Sequence, residues 1–291
     1  MISTVKRAIG RNTLLRNVIV ETTAFVEKGR IRGLIDDLNG HGDPIASRLA
    51  QGIDNFAFAG LAESQAWAEK IEAQRATMLD DTSMLATGDL GAPGGHDEGQ
   101  RICDVVAVSK SARAAKLLMD LCAAFAPKCI LEMGTNVGVS SAYIAAGQRI
   151  AKVSGAELTT LEFSPYRANI AKKLHASLGL DHTEFVLGDF NDTLGPLLPA
   201  LPSLDLAFID GNHKYKPTLK YTDMILGASQ NDVVLIYDDI RWSDGMEKAW
   251  LEIMHDPRFS VTVDLNSMGI AVRSSQSHPA YRSQRIRSLS A

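Results

Sequence analysis

The 291-residue sequence predicts an α/β fold: a mainly parallel sheet covered by helices on both faces, closed by an antiparallel hairpin and preceded by a helical extension. Three observations carry this. From residue 129 onward strand-like apolar runs alternate with amphipathic helical stretches, the pattern of a parallel sheet with crossover helices. The first hundred residues show helical periodicity instead. Near the C-terminus two strand-like runs lie too close together for a helix between them, so they must pair antiparallel.

In chain order, helices are expected near 12–28, 44–58 and 60–80, followed by Gly88-Asp89-Leu90-Gly91-Ala92-Pro93-Gly94-Gly95, a cluster that cannot sustain a helix and suits a mobile loop. A helix resumes over 109–125 and leads into the first strand. Strands are expected at 129–133, 158–162, 184–187, 206–210 and 233–238, with right-handed crossovers between them. A helix over 244–255 precedes the hairpin 260–264 and 268–273, with Asn266-Ser267 at its turn. The Ser- and Arg-rich tail offers few core candidates and is expected to be flexible. The resulting division is 1–100 as helical extension and lid loop, 101–273 as the α/β domain, and 274–291 as tail.

Composition narrows the function. With 45% hydrophobic and 22% charged residues the chain is an ordinary globular protein. A net charge of −4, with the 30 basic residues spread along the chain, argues against nucleic acid or anionic lipid as partner and for a small molecule. Cys103, Cys122 and Cys129 lack C-x-x-C spacing, so neither a disulfide framework nor a zinc site is indicated, and a reducing, cytoplasmic setting is expected. No apolar stretch approaches the roughly 20 residues that span a bilayer. Lys6, Arg7, Arg11 and Arg16 precede the first acid, Glu21, which is read as one face of an amphipathic helix rather than a transit peptide. A homo-oligomer is left open.

The strongest local signal is Ile130-Leu131-Glu132-Met133-Gly134-Thr135-Asn136-Val137-Gly138-Val139-Ser140-Ser141, a buried strand running through a glycine turn into a helix. Glycine there permits close backbone approach to a ligand, although it also serves plain strand-to-helix packing. The next strand ends in Glu162, where a nucleotide-like ligand would present ribose hydroxyls. The third ends Leu187-Gly188-Asp189-Phe190. Two further clusters follow the fourth and fifth strands: Phe208-Ile209-Asp210-Gly211-Asn212-His213-Lys214-Tyr215 and Ile236-Tyr237-Asp238-Asp239-Ile240-Arg241-Trp242.

Together, E-x-G-x-x-x-G on the first strand, an acid ending the second and the terminal hairpin resemble the class I S-adenosylmethionine-dependent methyltransferases, whose sheet is Rossmann-like and seven-stranded. The resemblance implies that Glu132, Gly134 and Gly138 shape the methionine side of a cofactor pocket, with polar contacts from Thr135, Asn136 and Ser140. It places Glu162 on the ribose and Asp189 and Phe190 at the adenine. The clusters after strands four and five resemble the catechol and caffeoyl-CoA O-methyltransferase branch, which implies a divalent cation on Asp210, Asp238 and Asp239. Oxygen ligands suit magnesium, manganese or calcium. His213 stands where the branch often has a lysine, and is expected to act as general base on the acceptor hydroxyl, against the alternative that it caps the next helix. Lys214, Arg241 or a proton are the other candidates to neutralise the carboxylates. Two rival functions are a nicotinamide-dependent oxidoreductase, which the incomplete G-x-G-x-x-G and the hairpin disfavour, and a non-catalytic cofactor-binding protein.

Overall fold

The computed structural model describes residues 13–85, 99–229, 231–287 and 289. The Gly88–Gly95 loop, and residue 12 where the first helix is expected to begin, lie outside the described residues. Three helices open the described chain: α1 Thr13–Gly40, α2 Pro44–Asp54 and α3 Ala62–Leu79, with a π-type turn over Asn55–Ala59 between the last two. The first runs well past its expected end at residue 28. A short helix α4, Ile102–Ala107, precedes α5, Ala112–Phe125, whose start is set by the Ser111 hydroxyl accepting from the Ala114 amide.

The alternating part then follows: β1 Cys129–Met133, α6 Val139–Ile150, β2 Glu157–Glu162, α7 Pro165–Leu178, β3 Thr183–Leu187, α8 Phe190–Leu197, β4 Leu206–Ile209, α9 Tyr215–Ala228, β5 Val233–Tyr237, α10 Asp244–His255, β6 Val261–Asp264 and β7 Gly269–Arg273. These strands lie in the order β3-β2-β1-β4-β5-β7-β6, parallel except for β7, which runs antiparallel to both β5 and β6. Chain direction across the sheet reverses between β1 and β4. Loops leaving their C-terminal ends therefore diverge to opposite sides and leave a crevice, the usual ligand position in open α/β sheets.

Successive strand residues face opposite layers. Ile130, Phe208 and Ile236 join the core under α5 and α6, whereas Leu131, Ala207, Ile209, Leu235 and Tyr237 pack with Tyr221 and Ile225 of α9 and Trp250 and Ile253 of α10. The extension is not a separate body: Leu34, Leu38, Leu49, Ile53 and Ile71 belong to the same core as α5 and α6. Polar links reinforce it, including Ser64 to Asp120 and Arg48 to the Phe125 carbonyl.

The tail departs from expectation. Tyr281–Arg282 forms an eighth strand, β8, parallel to β6, and Ile286 and Leu289 are buried. The Tyr281 hydroxyl donates to Asp37 on α1 at 3.0 Å. The physical reason is the edge of β6, whose backbone would otherwise be left unpaired; two residues of strand are enough to cover it. All three cysteines are free, and no helix among the described residues is long and apolar enough to cross a membrane.

Candidate active site

The loops after β1 and β2 are held by backbone contacts. Gly134 has φ 111°, and a Cβ there would stand 2.1 Å from the Asp210 carbonyl oxygen, so this glycine is where the β1 and β4 loops touch. Gly138, at φ 86°, admits α7: a Cβ would meet that of Ala171 at 2.7 Å. Contact within the protein thus accounts for both glycines. The Gly134 and Thr135 amides both donate to the Leu161 carbonyl, at 3.1 Å each.

Glu132 is fully buried on β1. Burial pushes its carboxyl up to about 7, against partial relief from the Thr160 and Ser140 hydroxyls and with Asp210 and Glu162 adding to the rise. Thr160 donates to it at 2.5 Å, and the Thr135 hydroxyl lies 2.5 Å from that of Thr160. Glu162, ending β2, accepts from the Asn136 amide at 2.7 Å and the Ser164 amide at 2.9 Å, so one carboxylate fastens both loops. The Asn136 side chain donates to the Val105 carbonyl at 3.1 Å and accepts from Arg167, tying α4 to the glycine turn. Asp189 caps α8 through the Asn191 amide at 2.8 Å, and the Phe190 ring lies under Gly211, edge-on to Tyr221.

The loops after β4 and β5 are organised by charge. Asp210 and Asp238 are pinned by backbone bonds to Met133 and Ile209 respectively. His213 Nε2 lies 3.5 Å from Asp210 Oδ1 and 3.9 Å from Asp239 Oδ2. The helix cap is Lys214, so His213 is free of the capping role and faces the two carboxylates. Asn212 and Asp239 both sit at positive φ, 64° and 50°, the kind of backbone strain that gathers at functional loops. Burial raises the Asp210 carboxyl, Lys110 and His213 pull it down, and Asp239 pushes it up. Trp242, 71% exposed, stands with its ring 6.4 Å from that of His213.

Sequence reasoning grouped Asp210, Asp238 and Asp239. The structure instead draws Asp210, His213 and Asp239 together, each offering one atom within 4.8 Å of the others. Asp238, its side chain 1% exposed, is ion-paired with Lys110, whose Nζ also lies 3.9 Å from Asp210 Oδ2. Neither Lys214 nor Arg241 fills that role, and Arg241 forks onto Asp264 instead. Lys110 was missed because it enters from the loop before α5, where nothing local marks it.

Residues 131–240 match the family model described as "Methyltransferase domain". Over this stretch the chain resembles methyltransferases. The residues from Glu132 to Asp239 lie within the matched stretch, and Lys110 lies before it. A catechol O-methyltransferase of Mycobacterium tuberculosis is 31% identical over 134 residues, 46% of this chain and 57% of that protein, so the chain spans little more than half the length of that relative. Two solved structures share the fold of the domain. An O-methyltransferase from Bacillus cereus, in complex with S-adenosylhomocysteine, is 20% identical with a TM-score of 0.53 over 77% of this chain and 96% of its own. The O-methyltransferase TomG from Streptomyces achromogenes, in complex with S-adenosylmethionine, is 21% identical with a TM-score of 0.50, covering 74% of this chain and all of its own.

Proposed function

We propose that this protein transfers the methyl group of S-adenosylmethionine to a hydroxyl of a small-molecule acceptor, in a cytoplasmic setting that three free cysteines suit. The observation that carries this reading is the crevice at the β1/β4 reversal. It sets Glu132, Glu162 and Asp189 on one side and Asp210, His213 and Asp239 on the other, at the same end of the sheet.

On the first side the donor set fits the cofactor. Glu162, at the C-terminal end of β2, would accept from the ribose hydroxyls, because a carboxylate is an acceptor toward both members of a diol. Glu132, Gly134, Thr135, Asn136, Gly138 and Ser140 would line the methionine portion, and Asp189 and Phe190 the adenine. The cofactor supplies a methyl carbon activated by a positive sulfur. The protein aligns the acceptor oxygen with that carbon, so that the C–O bond forms as the S–C bond breaks. His213 Nε2 takes the hydroxyl proton, and the adjacent Asp210 and Asp239 stabilise the imidazolium. Trp242 offers the acceptor an apolar wall.

A divalent ion fits poorly between Asp210 and Asp238, although Asp210, His213 and Asp239 converge on a second set of ligand atoms. The carboxylate of Asp238 already faces the Lys110 ammonium, which also reaches toward Asp210, so an ion bridging these acids would meet a like charge.

The test is titration with S-adenosylmethionine, S-adenosylhomocysteine and NAD, followed by turnover on a panel of hydroxylated acceptors. Cofactor binding to the two sulfur compounds and not NAD is expected. Substituting His213→Ala should slow turnover by about 10²–10⁴-fold near neutral pH, with the gap closing at high pH where the acceptor ionises unaided. An unchanged pH profile would remove His213 as the base.

A further inference from the structure

We propose that Lys110 is the resident counter-cation of the acceptor side, standing where a divalent ion would otherwise sit, and that the N-terminal extension holds it there through Arg75. The ion-binding part stands alone; its consequence for turnover rests on the methyl-transfer reading above.

Asp210, Asp238 and Asp239 end or follow neighbouring strands, and Asp238 is almost wholly withdrawn from water. A carboxylate so placed needs a positive partner, because its desolvation costs several kcal/mol. Lys110 supplies it. Its side chain is 13% exposed, unusual for a lysine without a purpose, and its ammonium contacts Asp238 while lying 3.9 Å from Asp210.

The lysine is delivered by a fixed backbone. Arg75 on α3 donates through Nη1 to the Lys110 carbonyl at 2.9 Å and through Nη2 to the Ser109 carbonyl at 3.3 Å. Arg75 lies 3.6 Å from Glu72, which accepts from the Tyr143 hydroxyl on buried α6 at 2.9 Å. A continuous polar path thus runs from the core helix α6, through the extension, to the acids of the crevice. Arg75 acts only through Lys110 and is a positioning residue. An ammonium has three donors, so beyond its carboxylates Lys110 can also face an acceptor oxygen as negative charge develops there.

The probe is Mn²⁺ itself, followed by its paramagnetic resonance signal as it is titrated into the full chain. The expected result is weak binding by the wild type, and a gain of about tenfold or more in affinity for Lys110→Met, which frees two acids and removes the repelling charge. Lys110→Arg should behave as wild type. Arg75→Gln should move toward Lys110→Met, and Arg75→Lys should return toward wild type, a rescue that a purely structural role at Arg75 would not produce in this readout. Should Lys110→Met fail to fold, Lys110→Gln keeps a donor to Asp238 without the charge and carries the same expectation. Equal Mn²⁺ affinity in the wild type and the charge-removing variants, or tight stoichiometric binding with Lys110 in place, would overturn the proposal. S-adenosylhomocysteine affinity measured in parallel separates the two readings: its absence in the wild type would defeat the methyl-transfer reading and leave the ion result standing.

Discussion

The loops after β1 and β2 and those after β4 and β5 meet at one crevice but are built by opposite means. The first pair is locked by main-chain contact: Gly134 against the Asp210 carbonyl, both glycine-turn amides on Leu161, and Glu162 accepting two backbone N–H groups. The second pair is a cluster of side-chain charges, Asp210, His213, Asp238 and Asp239, completed by Lys110 from outside the alternating domain. Main-chain locking gives a rigid seat whose shape is set before any ligand arrives. A charge cluster gives chemistry, and needs outside support to stay together.

The largest effect should come from breaking the rigid half. Gly134→Val puts a side chain 2.1 Å from a carbonyl oxygen at a φ that β-branched residues avoid, so a stability loss of about 4 kcal/mol or more is expected. Urea denaturation reads it. Wild-type stability with lost cofactor affinity would show instead that the glycine serves the ligand alone.

That same contrast decides what was legible in the sequence. Strand alternation, the hairpin, the glycine turn and the acids ending β1, β2, β4 and β5 all follow from local pattern, because each is fixed by the residues beside it. Locally, Gly134 reads as room for a ligand or for strand-to-helix packing, since the carbonyl that occupies the space belongs to the loop after β4, far along the chain. Lys110 and Arg75 left no trace at all: a lysine before a helix reads as solvated, and only the packing of α3 against α4 and α5 turns it inward. β8 was hidden likewise, because an edge strand of two residues is specified by the edge it covers and not by its own composition.

A middle-sized effect should separate burial from charge. The Glu132 carboxyl is raised to about 7 from an ordinary 4.5, so the folded protein holds a proton there that the unfolded chain has released. Its contribution to stability is therefore present below about pH 4.5 and is lost as pH rises through about 7, amounting to about 3 kcal/mol. Glu132→Gln cannot titrate and should abolish that slope. Comparing urea midpoints at about pH 5 and about pH 8 checks the sign: the variant should gain on the wild type at the higher pH. A wild type whose stability rose over this window relative to the variant would mean that Glu132 is held charged by a partner.

The smallest effect sharpens the comparison most, because Glu162 is expected to serve both the scaffold and the ligand. Glu162→Gln keeps one oxygen acceptor and turns an NH₂ group toward the second amide, so of the bonds to the Asn136 and Ser164 N–H groups one should survive. The expected cost is about 1–3 kcal/mol in stability, that of one backbone donor losing its charged acceptor. In the proposed ribose role the same change should weaken S-adenosylhomocysteine by about tenfold, since a carboxylate takes up the diol as two charge-assisted bonds and an amide cannot. Calorimetry on the folded variant measures the two losses separately. If stability falls while affinity holds, Glu162 is a fastener between two loops and the ribose must be held elsewhere. If affinity falls and stability holds, the amide bonds are incidental, and the first pair of loops is less rigidly built than its main-chain contacts suggest.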